Sequence, residues 1–426
     1  MEECRLTQSK SSLHYGWLVV FGGFLTQIIL MCGVQFVPIL MAPIKQSLEL
    51  SNTSAGTIVS VFGLCYAGCS FIWGYLADRA GARTAVSLAG LVLGIAVILF
   101  GLLADSFLKA VLIIALVGFG AAGVYSATIP KLIGAWFHPS KRGRAMSTIT
   151  AGGVLTGAAF GIVLPQLAKA YGWQTAAVIL GVLAIICTVV IYLVVRNKPS
   201  EKGLIPVGTP ADQVVKAAPA MKDAGFKDVL KMKVTWHVSS MFIFWQVAYM
   251  TATAFVAVSF VNAGFTAVQG GLAVTIYNLC QLIGQQIWGP LSDRLERKTV
   301  ICIAGIWWTA ATLGYMFIYG STLNAMYILI GVMGVGMGMV PVILASFSDY
   351  FPTEVGGSGA GVVSTMGLVG RFFGPMLAGY AADATGSITG AFGVGAAAML
   401  LASLVAFSLP SLKKQAAVSV GGESAK

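Results

Sequence analysis

The decapeptide GYLADRAGAR occupies residues 74–83, and a close copy, GPLSDRLERK, occupies residues 289–298, 215 positions later. Each copy places an Asp–Arg pair directly after a long apolar run. Further landmarks recur 214 positions apart, namely WF at 136–137 with YF at 350–351, and Gly172 with Gly386. A charged motif that is repeated together with its flanking residues predicts a chain made of two related halves.

The composition places this chain in a lipid bilayer. Hydrophobic residues make up 57% of the 426 residues and charged residues only 10%, and the mean hydropathy is +0.86. Soluble domains carry about 25% charged residues. The apolar runs reach about 20 residues, which is the length that a helix needs to cross the hydrocarbon core. Because the short alternating segments of outer-membrane barrels do not occur in the sequence, we expect an all-α membrane protein.

Six apolar runs precede a polar stretch and six follow it. They lie at about 16–42, 53–77, 84–104, 110–134, 145–168, 174–195, 235–261, 268–291, 299–319, 324–348, 357–381 and 387–409. The first run is too long for the core of a signal peptide and lacks a small-residue cleavage site, so we expect it to remain as a helix.

The positive charges predict the orientation of these helices. Of the 26 Lys and Arg residues, Lys45, Lys109 and Lys169 fall in predicted outer loops and Arg371 falls within a helix. The others lie on one side, which the positive-inside rule makes the cytoplasm. We expect a multi-pass protein of the cell's inner (plasma) membrane with both termini cytoplasmic. Its predicted parts are a cytoplasmic tail (1–14), a six-helix bundle (15–196), a cytoplasmic linker (197–234), a second six-helix bundle (235–410) and a cytoplasmic tail (411–426).

The motifs of soluble enzymes are missing or misplaced. The three His residues are far apart, so they predict neither a catalytic triad nor a zinc site. GFGAAG at 118–123 matches the dinucleotide pattern but lies inside an apolar helix. The seven Cys residues form no CxxC pair, and the sequence has no P-loop lysine. We expect gradient-driven transport by a monomer in the lipid bilayer, with no enzyme activity, cofactor, metal ion or nucleic-acid partner.

The repeated decapeptide resembles the loop signature of the major facilitator superfamily, with Glu296 where the second copy of the pattern prefers glycine. The resemblance implies twelve transmembrane helices in two pseudo-symmetric six-helix bundles, with the substrate site between the bundles. It also implies a conformational latch at the cytoplasmic seam, because Asp can pair there with Arg or with a helix N-terminus. The predicted latch residues are Asp78, Arg79, Arg83, Asp293, Arg294 and Lys298.

Shorter segments resemble the monocarboxylate porter and oxalate:formate antiporter group. These segments are HYGWLVV (14–20), GVQF (33–36), AWFHPSKRGRAM (135–146) and RNKPSEKGLIPVG (196–208). The resemblance implies that Gln35 and Tyr125 line the substrate cavity. Members of the group carry an arginine where this chain has Gln285, and some monocarboxylate porters carry its acidic partner where the chain has Gln281. Oxalate exchangers carry a lysine where it has Gly367. These departures favour a larger or less flat substrate than oxalate.

Polar side chains inside two predicted helices point to the same cavity. Amides in lipid need partners on another helix, in a pore or on a ligand. The helical spacing i, i+3, i+7 places each set on one face, and hydrogen bonding between helices is the alternative explanation. The sets are Asn278, Gln281 and Gln285 on the eighth helix and Gln246, Tyr249 and Thr253 on the seventh.

Arg371, in LVGRFFGP at 368–375, is the most informative residue of the predicted cavity. It lies about 14 residues, or roughly 20 Å, into the eleventh helix, a little past the bilayer midplane. A guanidinium at that depth is costly unless it faces water, a carboxylate or an anion. We expect it to bind a substrate carboxylate bidentately, with amides completing the shell. Capping of carbonyls freed by Pro375 is the alternative role.

The sequence therefore predicts a transporter of a small organic anion, in the first place a monocarboxylate. An exporter of neutral or cationic drugs is the alternative, although such a cavity would be expected to carry Asp or Glu. No acidic residue lies at mid-membrane in the predicted helices, where proton relays usually place one. Facilitated uptake, anion exchange and symport with a substrate-drawn proton all stay open.

The predicted orientation can be tested with a cysteine at Ser200, in the linker. Because the linker is expected to be cytoplasmic, Ser200→Cys should resist a membrane-impermeant maleimide applied to intact cells. A cysteine at Ser106, in a predicted outer loop, should react under the same conditions. Equal labelling at the two positions would contradict the topology.

Overall fold

The computed structural model describes residues 14–125, 128–208, 226–351 and 356–410. Both predicted tails, apart from His14, lie outside these ranges, and so does the part of the predicted linker at 209–225.

The described residues form sixteen α-helices and one short 3-10 turn. The helices are α1 Tyr15–Val34, α2 Phe36–Ser47, α3 Asn52–Gly68, α4 Ser70–Arg79, α5 Ala82–Leu103, α6 Phe107–Val124, α7 Ile129–Trp136, α8 Pro139–Val194, α9 Phe226–Lys231, α10 Lys233–Asn262, α11 Ala267–Arg294, α12 Arg297–Phe317, α13 Leu323–Met337, α14 Val340–Asp349, α15 Gly356–Thr385 and α16 Thr389–Ser408. An isolated β-bridge joins Phe137 to Val207, so the start of the linker docks against the end of α7.

These helices provide the twelve predicted passes. Ten helical segments in the described part are long and apolar enough to cross a bilayer. One of them, Arg144–Val194, holds two passes, because Gly172 breaks α8 with a φ of 84° that favours glycine. The remaining one of the twelve passes is α11, which has 28 residues. It carries the predicted amide stripe and is therefore less apolar.

Four passes consist of two consecutive helices rather than one. The junctions lie at Gln35, Cys69, Tyr125 and Gly338. At Gln35 and Cys69 the backbone stays α-helical, and each N–H still donates to the carbonyl four residues earlier. Tyr125 departs from helical geometry, with φ −130° and ψ −62°. Membrane proteins tolerate such an interruption only where the backbone is buried in protein or lines a cavity, and the resemblance places Tyr125 in the substrate cavity.

The described residues group into two compact units. The first contains residues 14–37 and 61–208, and the second contains residues 38–60 and the described residues from 226 onwards. The sequence analysis assigned segment 38–60 to the first bundle, whereas the structure groups it with the second unit. Asp383, near the end of α15, makes one of the contacts between this segment and the rest of the second unit.

The Asp383 carboxylate caps the start of α3. One oxygen accepts from the backbone N and the side-chain Nδ2 of Asn52, at 3.1 and 2.8 Å. The other accepts from the backbone N and Oγ1 of Thr53, at 2.8 and 2.5 Å. The first N–H groups of a helix have no partner within it, and a negative charge at that end is favourable. Gly379 allows the close approach, because a Cβ there would overlap the Asn52 carbonyl.

The predicted duplication is visible in matched contacts. In the first unit the indole Nε1 of Trp73 donates to the carbonyl of Phe119 at 2.7 Å. In the second unit Trp288, 215 positions later, donates to the carbonyl of Val335 at the same distance. A side-chain donor thus serves a backbone carbonyl in equivalent passes of both halves, as related folds would require.

Removal of the Asp383 cap should destabilise the second unit. Because Asp383→Ala deletes all four hydrogen bonds, we expect a loss of about 1–2 kcal/mol, seen as a lower midpoint of thermal unfolding in detergent. The control is Asp105→Ala, which deletes only the exposed pair with Lys109 at 2.6 Å and should leave the midpoint close to that of the unsubstituted protein. Equal midpoints in the two variants would argue against the cap.

Candidate substrate site

Close packing of α15 on α10 positions the predicted anion-binding residue. Gly367, Gly370 and Gly374 form a stripe of small residues on α15. A Cβ at Gly370 would overlap the Ile243 carbonyl and lie 2.8 Å from Cβ of Gln246, and a Cβ at Gly374 would lie 3.0 Å from Cα of Val247. Small residues let membrane helices approach closely, so α15 lies almost backbone to backbone against α10.

This packing brings Arg371 and Gln246 together. With the amide oxygen of Gln246 facing the guanidinium, that oxygen accepts from Nε of Arg371 at 2.7 Å and from Nη2 at 3.2 Å. The amide orientation is assigned from this hydrogen-bonding pattern. Gln246 is 1% exposed, whereas Arg371 is half-buried near the middle of α15. A neutral amide orients the guanidinium without cancelling its charge, so Arg371 stays suited to an anion.

Aromatic side chains line α10 beside Gln246. The rings of Phe242 and Trp245 stack with centroids 5.5 Å apart, and those of Trp245 and Tyr249 stack at 5.2 Å. The sequence analysis selected Tyr249 but missed Trp245. The spacing of 242, 245 and 249 at i, i+3, i+7 was the available signal, because it places three aromatic residues on one helical face.

The amide stripe of α11 belongs to the same unit as Arg371. Asn278 and Gln281 are buried, and Gln285 is half-buried. The Asn278 amide donates from Nδ2 to the Val274 carbonyl at 3.0 Å, a bond within its own helix. This bond occupies one of its two N–H donors, and the amide oxygen can also accept. The joint role of the stripe and Arg371 in one cavity stays a prediction.

Gln35 and Tyr125 lie in the first unit, each between two consecutive helices. Gln35 is 8% exposed, and its Oε1 is buried without a hydrogen-bond partner in the described part of the chain. Tyr125 lies within hydrogen-bonding reach of Thr150 and Gln27. The buried Gln27, which the sequence analysis missed, adds a second amide to this region.

The structure places two predicted latch residues inside their own units. Nε of Arg83, at the start of α5, donates to the carbonyl of Tyr192 near the end of α8 at 2.8 Å. Nζ of Lys298, at the start of α12, donates to the carbonyl of Leu409 at the end of α16 at 2.7 Å. Cations near helix C-termini are favourable. These two residues, 215 positions apart, therefore hydrogen-bond the third pass of each half to the last pass of the same half.

The other latch residues have different surroundings. Asp78 pairs with Lys131 of α7, which the sequence analysis did not select, and Lys131 also donates to the Ala77 carbonyl at 2.8 Å. The Arg79 guanidinium lies 4.6 Å from the centre of the Tyr75 ring. Arg294 is exposed at the end of α11, and the side chain of Asp293 lies outside the described part. A latch function stays a prediction for this set.

The side chains of this region can bind an anion. Among the described residues no group of three or more His, Cys, Asp or Glu side chains could hold a metal ion. The assembled groups are a guanidinium, amides and aromatic rings, which can hold an anion through hydrogen bonds and ring contacts.

A family model described as Major Facilitator Superfamily matches residues 23–267 and again 247–425. The chain belongs to this superfamily. It is therefore a multi-pass membrane transporter and not an enzyme. Membership of the superfamily also confirms the predicted fold. The finer resemblance to the monocarboxylate porter and oxalate:formate antiporter group stays a prediction.

Relatives of this transporter include two proteins of Bacillus subtilis (strain 168). A hexuronate transporter is 26% identical, with 88% of this chain and 90% of the relative covered. A probable galactarate/D-glucarate transporter is 24% identical, with 94% and 93% covered. The crystal structure of a D-xylose-proton symporter superposes with a TM-score of 0.74 at 16% identity, covering 94% of this chain and 99% of the symporter. That likeness shows the fold alone.

The close approach at Gly370 can be tested by adding one methyl group. Gly370→Ala should push α15 away from α10, lower the unfolding free energy by about 1–3 kcal/mol and weaken anion binding by separating Arg371 from Gln246. Gly361→Ala, on the same helix, has nothing within 4 Å of the new Cβ and should change neither. Thermal unfolding and binding titrations measure both effects, and matching results for the two variants would contradict this packing role.

Proposed function

We propose that the transporter carries a small organic anion, and that its substrate is a hydroxylated monocarboxylate of the hexuronate kind. The observation that carries the proposal is Arg371 near the middle of the membrane helix α15, oriented by Gln246. An arginine at the centre of a membrane helix costs about 3 kcal/mol on insertion scales. Charged residues within membrane helices therefore occur mainly where they bind a ligand or lie on the path of a transported substrate.

The sign and shape of the arginine side chain favour a carboxylate. A guanidinium presents a planar fork of N–H donors that matches the two oxygens of a carboxylate, and its charge persists at all physiological pH values. The hydrogen bond from Nε to Gln246 fixes the plane of that fork. A cavity for cationic drugs would be expected to carry an acidic side chain in place of this arginine.

The names of the relatives support a sugar acid. One relative is a hexuronate transporter, and another is a probable galactarate/D-glucarate transporter. A hexuronate has a single carboxylate, in line with the monocarboxylate prediction, and several hydroxyl groups. Amides can both donate to and accept from hydroxyls, so the buried Asn278 and Gln281 and the half-buried Gln285 suit such a substrate better than an unsubstituted acid. Transport would proceed by alternating access, as is general for this fold.

The proposal predicts a graded response at position 371. Arg371→Ala should weaken D-glucuronate binding by about 30-fold or more, because it deletes a charge-assisted bidentate contact. Arg371→Lys should restore binding in part, since it keeps the charge but not the fork. Isothermal titration of the purified protein measures these affinities.

Ligand controls separate the parts of this proposal. D-glucose tests the need for the carboxylate and should bind far more weakly than D-glucuronate. L-lactate tests the need for several hydroxyl groups and should also bind more weakly. Unchanged D-glucuronate affinity in a well-folded Arg371→Ala protein would contradict the anion site, and stronger binding of L-lactate would contradict the sugar-acid assignment.

A further inference from the structure

We propose that Trp245 determines substrate specificity by donating a hydrogen bond from its indole N–H to a hydroxyl group of the bound sugar acid. This inference rests on the proposed function, because it assigns Trp245 to the substrate whose carboxylate Arg371 would hold.

Trp245 lies on α10, and its ring stacks on that of Phe242. A Cβ at Gly367 of α15, one helical turn before Arg371, would overlap the Phe242 ring, so this aromatic pair packs close to the turn that carries Arg371. The indole is stacked between Phe242 and Tyr249, with interplanar angles of 12° and 16°. Trp245 is 4% exposed, whereas Tyr249 is half-buried, so the aromatic ladder runs from the packed interior towards more accessible space.

The indole nitrogen of Trp245 is a buried donor without a hydrogen-bond partner among the described residues. Most other indole nitrogens in the structure donate to backbone carbonyls at 2.7–3.0 Å, and the donors are Trp73, Trp136, Trp236, Trp288 and Trp307. A buried donor left unsatisfied carries a real free-energy cost, so protein structures normally pair it. A ligand hydroxyl would supply the partner that the fold does not.

Two other buried indoles, Trp173 and Trp308, also lack a hydrogen-bond partner in the described part. Trp173 belongs to the first unit and packs edge-on against Phe100. Trp308 lies beside the hydroxyl of Tyr277 on α11. The nitrogen of Trp245 is the one assigned to the substrate, because Trp245 shares α10 with Gln246 and stacks on Phe242, which packs against α15.

A hydroxylated ring with one carboxylate fits this set of groups. The carboxylate would bind the guanidinium, the C–H face of the ring would lie against an aromatic surface, and a hydroxyl would accept the indole N–H. A site built to bond a hydroxyl strongly rejects an analogue that lacks it, because the protein donor is then left unpaired. Trp245 would therefore make the transporter bind sugar acids more tightly than unsubstituted carboxylates of similar size.

The test compares Trp245→Phe with the unsubstituted transporter on two ligands, D-glucuronate and cyclohexanecarboxylate. Both ligands have a six-membered ring and one carboxylate, but only D-glucuronate has hydroxyl groups. Phe keeps an aromatic ring and removes the N–H. We expect the Kd for D-glucuronate to rise about tenfold, and the Kd for cyclohexanecarboxylate to stay within about twofold, by isothermal titration in detergent.

Trp288→Phe is the matched control, because it deletes an indole N–H that bonds the Val335 carbonyl instead of a ligand. It should lower the thermal unfolding midpoint and leave the ratio of the two Kd values unchanged. If Trp245→Phe fails to fold, Trp245 can be replaced by 3-benzothienylalanine, which exchanges the N–H for sulfur at nearly the same shape. The same selective loss of D-glucuronate affinity is expected from that replacement.

The outcomes separate this inference from the proposed function. If D-glucuronate binds the unsubstituted protein and Trp245→Phe binds it equally well, the assignment of Trp245 is wrong and the anion site stands. An equal loss for both ligands would also overturn the assignment, since it would indicate a packing role. Failure of D-glucuronate to bind the unsubstituted protein would contradict the sugar-acid function itself, and this inference with it.

Discussion

The structure depends on one constraint, which is that backbone polar groups in hydrocarbon must find hydrogen-bond partners within the protein. Continuous helices satisfy it, and the described passes are helical throughout most of their length. The exceptions are therefore informative. Tyr125 departs from helical geometry within its pass, where the backbone needs a protein or cavity environment. Trp73 and Trp288 donate to carbonyls in equivalent passes of both halves.

In the same apolar surroundings the charged side chain of Arg371 carries a high free-energy cost, and the packing around it offsets part of that cost. Glycine at 370 lets α15 approach α10 so closely that the Gln246 oxygen meets two nitrogens of the guanidinium. The hydrogen bonds orient the charge but do not neutralise it. On the same helix as Gln246, Trp245 carries a buried donor with no partner in the described part of the chain. The two packed helices α10 and α15 thus carry a cation, an amide and an aromatic donor.

Duplication of the chain explains the positions of the repeated charges, but each copy has acquired its own contacts. Arg83 and Lys298 occupy equivalent places and hold the last helix of their own half. Asp78 has a partner in Lys131, which lies 53 positions away in sequence. The equivalence of two residues can be predicted from a repeat. The atoms that they contact cannot, because those depend on which helices become neighbours.

The sequence by itself determined the membrane location, the twelve passes, the two related halves and the position of Arg371 inside a helix. These follow from hydropathy, helix length and a constant interval, which are properties of the chain read locally. Only the tertiary structure decided that Gln246 would orient Arg371, that Trp245 would be buried with its nitrogen unbonded, and that Asp383 would cap α3. Helical spacing shows which residues share a face, but the face that another helix covers is set by packing between distant parts of the chain.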